Sequence, residues 1–120
     1  MSLQSGFLRY ILDDVMGDIT GITARAMFGG YGLYQEGVIF GIIVENQLYF
    51  KADDSNRSHF QKLQSQPFAY EGQKGKKIVM SYWEVPAQIL DDRVLLRGWV
   101  LQAVSASKRS QKKPALRKKK

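Results

Sequence analysis

Residues 25–34, which read Arg-Ala-Met-Phe-Gly-Gly-Tyr-Gly-Leu-Tyr, and the apolar run Val38–Val44 that follows them decide the fold of this chain. Glycine occupies three of the four positions from 29 to 32. It is the residue that accepts positive φ and lets two backbones approach closely. The aromatic residues beside the cluster are typical of strands. The stretch therefore predicts the entry to a β-sheet.

Turn signals on either side of Val38–Val44 divide this region into an antiparallel meander. Glu36-Gly37 precedes the run and Glu45-Asn46 follows it, and pairs of this kind close tight hairpins. The run itself is apolar on both faces, as expected for a central strand. The pattern predicts strands over 32–35, 38–44 and 47–51, with 22–28 as a further strand that can extend the sheet.

Helical spacing of apolar residues appears on both sides of the meander. Apolar positions three and four apart predict helices over 6–16, 55–64 and 87–105. Two more strands, at 68–70 and 77–82, fall between the second and third helices. Strands and helices form blocks in the order α-β(3)-α-β(2)-α, without regular βαβ alternation. This order predicts an α+β fold, with two layers and a mainly antiparallel sheet.

The formal charge of +7 is concentrated at the C-terminal end. Residues 1–106 contain ten Lys and Arg against eleven Asp and Glu. Residues 107–120 contain no acid and eight bases, namely Lys108, Arg109, Lys112, Lys113, Arg117, Lys118, Lys119 and Lys120. With so little apolar surface, this segment cannot offset the entropy of ordering. We therefore expect a folded domain over 1–105, a boundary near Ser105 and a disordered basic tail over 106–120.

A flexible segment with this many positive charges attracts polyanions through counterion release. The composition thus predicts nonspecific, strongly salt-dependent contact between the tail and nucleic acid. Two alternatives stay open: a tail that only keeps the protein in solution, and a tail that binds an anionic membrane surface. The membrane alternative is disfavoured because no amphipathic anchor adjoins the tail.

Composition also excludes several chemistries. The chain has no cysteine and one histidine, which excludes disulfides, thiolate zinc sites and cysteine nucleophiles and disfavours a histidine-rich metal site. We expect no metal and no cofactor. The N-terminus lacks a signal-peptide pattern, and the longest apolar run is far shorter than a membrane-spanning helix. These features predict a soluble, cytoplasmic protein without a membrane partner.

The glycine cluster does not match a known phosphate-binding loop. Residues 30–35 lack the last glycine of a dinucleotide fingerprint and continue into a strand, and no Gly-Lys-Ser/Thr occurs in the chain. A pocket for an anionic metabolite, built from Arg25, Gly29, Gly30 and Lys51, stays open as an alternative function, either binding or enzymatic. The competing interpretation is that the glycines only let the chain bend into the sheet.

No other catalytic constellation stands out. Asp13-Asp14, Asp53-Asp54 and Asp91-Asp92 lie at predicted helix faces or ends, where carboxylates cap helices or face solvent. The chain has no nucleophile-elbow motif Gly-x-Ser-x-Gly that would pair a serine with His59, and we expect His59 at the surface.

Aromatic residues on or beside the predicted strands can stack on single-stranded bases when a sheet face is open. Because residues 1–106 are net negative, packing in the core or at a subunit interface is the favoured interpretation. The residues concerned are Tyr31, Tyr34, Phe40, Tyr49, Phe50, Tyr82 and Trp83.

Four motifs in this chain resemble the N-terminal domain of TfoX, also called Sxy. They lie at 27–34 (Met-Phe-Gly-Gly-Tyr-Gly-Leu-Tyr), 48–53 (Leu-Tyr-Phe-Lys-Ala-Asp), 67–71 (Pro-Phe-Ala-Tyr-Glu) and 80–86 (Met-Ser-Tyr-Trp-Glu-Val-Pro). The resemblance implies a secretion-chaperone-like fold and a place among regulators of bacterial natural competence that act with the cyclic-AMP receptor protein at promoters. We expect a stand-alone, single-domain member.

The favoured function is a non-enzymatic regulatory or adaptor domain. It would bind a protein partner, such as the cyclic-AMP receptor protein or the transcription machinery, or pair as a homodimer, while the tail adds DNA affinity. The motif residues expected to mark an interaction surface are Arg25, Met27, Phe28, Gly29, Gly30, Tyr31, Gly32, Lys51 and Tyr82.

Overall fold

The computed structural model describes residues 3–27, 29–71, 75 and 77–117. Helix α1 covers Leu3–Tyr10 and continues as a π-helical turn over Ile11–Val15. The remaining helices are α2 (Arg57–Lys62), α3 (Ala87–Leu90) and α4 (Arg93–Arg117). The strands are β1 (Ile22–Met27), β2 (Gly30–Gln35), β3 (Val38–Val44), β4 (Gln47–Lys51), β5 (Pro67–Glu71) and β6 (Lys77–Glu84).

The six strands form one antiparallel sheet in the order β1-β2-β3-β4-β6-β5. The stretch expected to extend the sheet does so: β1 is an edge strand paired along its whole length with β2. Four strands therefore precede α2, and the element order is α-β(4)-α-β(2)-α-α. The predicted α+β class with a mainly antiparallel sheet is confirmed.

Both predicted hairpin turns of the meander are present. Glu36 and Gly37 have φ of 49° and 86°, and Glu45 and Asn46 have φ of 51° and 62°. Two consecutive residues at positive φ form the turn type whose twist matches that of the flanking strands. These two-residue loops fix the register of β2, β3 and β4.

A β-bulge in β3 shapes the centre of the sheet. Leu33 pairs with Gly41 and Tyr34 pairs with Ile39, so Phe40 is the extra residue between them. Phe40 is fully buried and its ring contacts Phe50 edge-on, with centroids 5.7 Å apart. A side chain at Gly41 would meet the Tyr49 carbonyl at 2.8 Å. Glycine at 41 thus leaves room for the Tyr49 carbonyl and for the Phe50 ring.

The core lies between one face of the sheet and the helices. Helix α4 lies across β3 and β4 and supplies the buried side chains Leu96, Val100 and Ala103. The π-helical turn, α2 and α3 add Ile11, Phe60, Ile89 and others to the same cluster. The opposite face of the sheet, hereafter the second face, points away from this core.

The last helix differs from the prediction of one helix over 87–105. The chain breaks at Asp91 and Asp92, and α4 then runs without interruption to Arg117. The boundary expected near Ser105 lies inside this helix. Ala106 is fully buried and Ser107 is 3% exposed, so disorder does not begin at residue 106. The physical reason is that two small residues continue the buried side of α4, a contact that charge composition does not reveal.

Candidate functional site

The residues proposed as an anion pocket are not brought together. Arg25 lies on β1 and Lys51 on β4, both on the second face, separated by three strand spacings and two residues along the strand, or about 16 Å. Gly30 lies beside Ile43 and Val44, at the other end of the strands from Lys51. Any site at Lys51 must therefore be built from other neighbours.

The glycines have a packing role. A side chain at Gly30 would run into the Ile43 carbonyl, and one at Gly32 would meet the Met27 sulfur at 2.5 Å and the Tyr34 ring at 3.2 Å. Gly29 has φ of 75° in the turn between β1 and β2. Tyr31 packs against the core, and Phe28 lies outside the described residues.

The second face carries aromatic residues that lie outside the main core cluster. The Arg25 guanidinium lies 5.8 Å from the centroid of the Tyr34 ring, and the Lys51 ammonium 5.4 Å from that of Tyr82. Such geometry allows cation–π attraction. Tyr49 contacts Phe68 edge-on, with centroids 5.0 Å apart. Phe40 and Phe50, by contrast, are fully buried.

The loop after β4 is held by a buried asparagine. Asn56 is 2% exposed. Its side chain accepts a hydrogen bond from the Asp53 amide at 2.7 Å and donates one to the Lys51 carbonyl at 3.2 Å. Asn56 is also the N-terminal flanking residue of α2. Its side chain therefore fixes the path from the sheet into the helix, a role that we had expected of Asp53 or Asp54.

Asp53 instead binds α4. Arg109 donates from Nε to one Asp53 oxygen at 2.8 Å and from Nη2 to the other at 3.1 Å, and Nη2 also donates to the Ser55 hydroxyl at 2.6 Å. Hydrogen bonds from Arg109, and then from Ser55, hold the pKa of Asp53 well below its usual range, although partial burial opposes them. We call this arrangement the Arg109 clamp.

A groove of about 430 Å³ lies beside the clamp, between the end of β4 and α4. Its polar lining consists of Lys51, Asp53, Asp54, Ser55, Arg57, Ser81, Arg109 and Ser110. Asp53 pairs with Arg109 and Asp54 with Arg57. The Lys51 ammonium donates to the Ser81 hydroxyl at 2.7 Å, and partial burial lowers its pKa while the charge of Asp53 opposes that shift. We call this the Lys51 groove.

A second hollow, of about 320 Å³, adjoins the clamp on the other side and includes His59, Ser55 and Ser105. His59 is partly exposed, and its ring centroid lies 6.3 Å from that of Trp99. Within the described part of the chain, no hydrogen bond joins the His59 ring to either serine. The hollow thus lacks the nucleophile–base contact of a hydrolase.

The eight basic residues of the predicted tail fall into three groups. Lys108 is exposed on α4 and Arg109 forms the clamp. Lys112, Lys113 and Arg117 occupy later positions of the same helix. Lys118, Lys119 and Lys120 lie outside the described residues. The described bases are therefore carried by a helix that is anchored in the core.

Two other kinds of feature are absent from the described ranges, a membrane-spanning helix and a metal-binding cluster. None of the helices there is long and apolar enough to cross a membrane. Among the same residues, no group of three or more His, Asp or Glu is arranged to hold a metal ion.

Sequence reasoning missed Asn56 and the partnership of Arg109 with Asp53. A local signal existed for Asn56, because asparagine is a favoured residue immediately before a helix. No local signal existed for the clamp, whose two charges are separated by 56 positions.

The architecture defines a class: a two-layer α+β domain with helices on one face of an antiparallel sheet and a basic helix at its end. Within that class, the model of the TfoX N-terminal domain matches residues 14–107. The chain belongs to the TfoX N-terminal domain family, a family of regulatory domains rather than of enzymes. A search of curated proteins found no significant match.

Proposed function

We propose that this chain is a non-enzymatic regulatory adaptor that contacts nucleic-acid phosphates through the C-terminal part of α4 while the domain binds a protein partner. The observation that supports it is the continuity of α4 from the buried Leu96 to Arg117, which attaches the basic residues rigidly to a domain of a regulatory family. The partner would belong to the transcription machinery in the cytoplasm, with the cyclic-AMP receptor protein as the first candidate.

Phosphate contact by this helix is electrostatic. Each phosphate neutralised releases condensed counterions, so the logarithm of the association constant falls with the logarithm of salt concentration by about 0.9 per phosphate on duplex DNA. A rigid helix also loses less conformational entropy on binding than a flexible tail. The proposed contact is independent of base sequence, because lysine and arginine on phosphates carry no sequence information.

The test compares two variants that each lose two positive charges. Lys112→Gln with Lys113→Gln removes charge from the end of α4, and Arg9→Gln with Lys62→Gln removes it from exposed positions elsewhere. In a salt series with duplex DNA, we expect the first variant to reduce the slope by about 2 and the second to leave it close to wild type. Equal slopes for the two variants would contradict the proposal.

The protein partner needs its own measurement. Purified cyclic-AMP receptor protein should be retained by the immobilised full chain, and retention should survive nuclease treatment. Loss of retention after nuclease would show that DNA bridges the two proteins and would contradict a direct partnership.

A second candidate function is binding of a small anion in the Lys51 groove. It is favoured by one observation: the half-buried Lys51 ammonium takes part in none of the ion pairs found among the described residues. Titration with inorganic phosphate, followed by NMR, should shift the amides of Lys51 and Ser81 in the wild type and in Lys62→Gln, but not in Lys51→Gln. Identical shifts in all three proteins would contradict an anion site at Lys51.

A further inference from the structure

One row of residues crosses the second face from strand to strand. Residues that pair directly across antiparallel strands point to the same side of the sheet. The row begins with a cation on β1, has β3 at its middle and ends with a carboxylate on β6. We call it the cross-strand row; each member pairs with the next, in the order Arg25, Gly32, Ile42, Tyr49 and Glu84.

The two charged ends of the row form no ion pair within one copy. Arg25 is exposed and Glu84 is partly exposed, and neither takes part in the ion pairs found among the described residues. Burial, and then the negative charge of Glu84, raise the pKa of Tyr49, which agrees with a carboxylate beside that ring. Four strand spacings separate the two ends by about 19 Å, too far for Arg25 and Glu84 to meet in one copy.

Between its ends the row is apolar. Ile42 at the centre is 9% exposed, and Tyr49 is partly buried. A side chain at Gly32 would meet the Met27 sulfur at 2.5 Å and the Tyr34 ring at 3.2 Å, so the surface above this glycine is a low patch of apolar atoms. An apolar centre with a charged rim is typical of protein interfaces.

We propose that the second face binds a second copy of this chain, related to the first by a half-turn about an axis that runs along β3. Because β3 is the middle strand of the row, this rotation sets β1 over β6 and β2 over β4 of the other copy. Arg25 of each copy then faces Glu84 of the other, and Ile42 faces Ile42. Tyr49 lies on the apolar patch above Gly32. The row is therefore complementary to itself in charge and in shape.

A second row on the same face matches in the same way. Strands β2 and β4 both run antiparallel to β3, and therefore run in the same direction. Tyr34 follows Gly32 by two residues and Lys51 follows Tyr49 by two, so both lie one row further along. The half-turn sets the Lys51 ammonium of one copy against the Tyr34 ring of the other, an attractive cation–π arrangement.

Other occupants match this face less well. A half-turn about an axis across the strands would set Arg25 against Arg25 and Glu84 against Glu84, and like charges in contact disfavour that pairing. A single strand of nucleic acid would stack on Tyr34 and Tyr49, but its phosphates would meet the carboxylate of Glu84. Charge complementarity thus selects both the second copy and its orientation.

The width of the row limits the strength of the pair. A face about 19 Å wide gives an interface at the small end of the range for stable dimers. We therefore expect a dimer that dissociates in the micromolar range. This inference is independent of the proposed function, because neither the basic end of α4 nor the protein partner enters it.

Sedimentation equilibrium of the full chain tests the pairing. The wild type should show a reversible monomer–dimer equilibrium, and Arg25→Glu should raise its dissociation constant about tenfold or more, because carboxylates then face each other at both ends of the row. Arg9→Glu, at an exposed position on α1, is the matched control and should leave the constant unchanged. A wild type that stays monomeric into the high micromolar range would overturn the proposal, as would equal effects of the two variants.

Complementary variants test which charges meet. Arg25→Glu has carboxylates at both ends of the row and Glu84→Arg has guanidinium groups at both ends, so each alone should be mostly monomeric. Mixed in equal amounts, they should form a heterodimer with a dissociation constant close to that of the wild type. No gain in dimer on mixing would contradict the contact between Arg25 and Glu84. Circular dichroism checks the fold of each variant, and if Glu84→Arg unfolds, the comparison of Arg25→Glu with Arg9→Glu decides alone.

Oligothymidylate is the probe for a single strand on the same face. We expect Arg25→Glu and Arg9→Glu to bind it with equal affinity, because the second face is not its site. A monomeric wild type whose affinity for oligothymidylate falls in Arg25→Glu, but not in Arg9→Glu, would replace the second copy by a single strand.

Discussion

Arg109 donates hydrogen bonds to both carboxylate oxygens of Asp53 and to the Ser55 hydroxyl. Two parallel hydrogen bonds of this kind fix the orientation of both side chains as well as adding attraction. One of the eight charges that composition assigns to a free tail is thereby held against the loop after β4. At the scale of single residues, this contact ties α4 to the sheet beyond the buried positions Ala106 and Ser107.

The lowered pKa of Asp53 predicts a pH dependence of stability. The clamp stabilises the fold at any pH above the ordinary carboxyl pKa of the unfolded chain, and that stabilisation is lost as pH falls below it toward the folded pKa. Asp53→Asn should lower the free energy of unfolding by about 1 kcal/mol at neutral pH, a modest value because Arg109 is half-exposed and solvent screens the pair.

Urea denaturation at neutral pH and near pH 3 measures this effect. The difference between wild type and Asp53→Asn should shrink on acidification. Asp54→Asn is the control, because the Asp54 side chain is 92% exposed and should contribute little at either pH. A difference for Asp53→Asn that stays constant with pH would contradict the assignment.

Gly30 gives a second prediction at this scale. Gly30→Ala should destabilise the domain by about 1–3 kcal/mol, because the new methyl group collides with the backbone carbonyl of Ile43 and one strand must move. Gly6→Ala, on α1 with open space around it, should be neutral or slightly stabilising. Thermal denaturation of the two variants measures this difference in stability. Equal melting temperatures would show that the glycine is not needed for packing.

At the scale of elements, α4 begins with a carboxylate cap. Asp92 accepts hydrogen bonds from the amides of Val94 and Leu95, each at 3.1 Å. Asp92→Ala should therefore cost about 1 kcal/mol of stability, whereas Asp91→Ala, one residue outside the cap, should cost close to nothing in dilute solution. Chemical denaturation checks both, and an equal loss for the two variants would argue against the cap.

The elements that local chemistry specifies were predicted from the sequence. Glu36-Gly37 and Glu45-Asn46 bend the chain by their own backbone preferences, so both hairpins could be located in advance. The bulge at Phe40 could not, since it depends on the fit of two rings in the core. The length of α4 could not either, because the burial of Ala106 and Ser107 depends on where the helix packs.

The candidate sites show the same contrast between features that the local sequence predicts and features that depend on distant contacts. The paired carboxylate Asp91-Asp92 was expected to cap or face solvent, and Asp92 caps α4. The pocket that the sequence left open as an alternative, at Arg25, Gly29, Gly30 and Lys51, is not formed, because the strand register separates Arg25 from Lys51. The contacts of Lys51 with Ser81 and of Asp53 with Arg109 span 30 and 56 positions, beyond the reach of any local pattern.

At the scale of the whole molecule, the helix that packs in the core also carries basic residues at its C-terminal end. Residues 1–106 carry slightly more acids than bases, and five of the eight bases that follow lie on the same helix that packs in the core. A regulatory domain built in this way presents its basic end at a fixed angle to the sheet.

The central claim is that α4 is one continuous helix from the core to its basic end. Carbon-13 chemical shifts and amide hydrogen exchange of the full chain, measured residue by residue at neutral pH, test it most directly. We predict helical shifts from Arg93 to Arg117, with slow exchange at Ala106 and Ser107. Random-coil shifts and fast exchange from residue 106 onward would contradict the claim and restore a disordered tail.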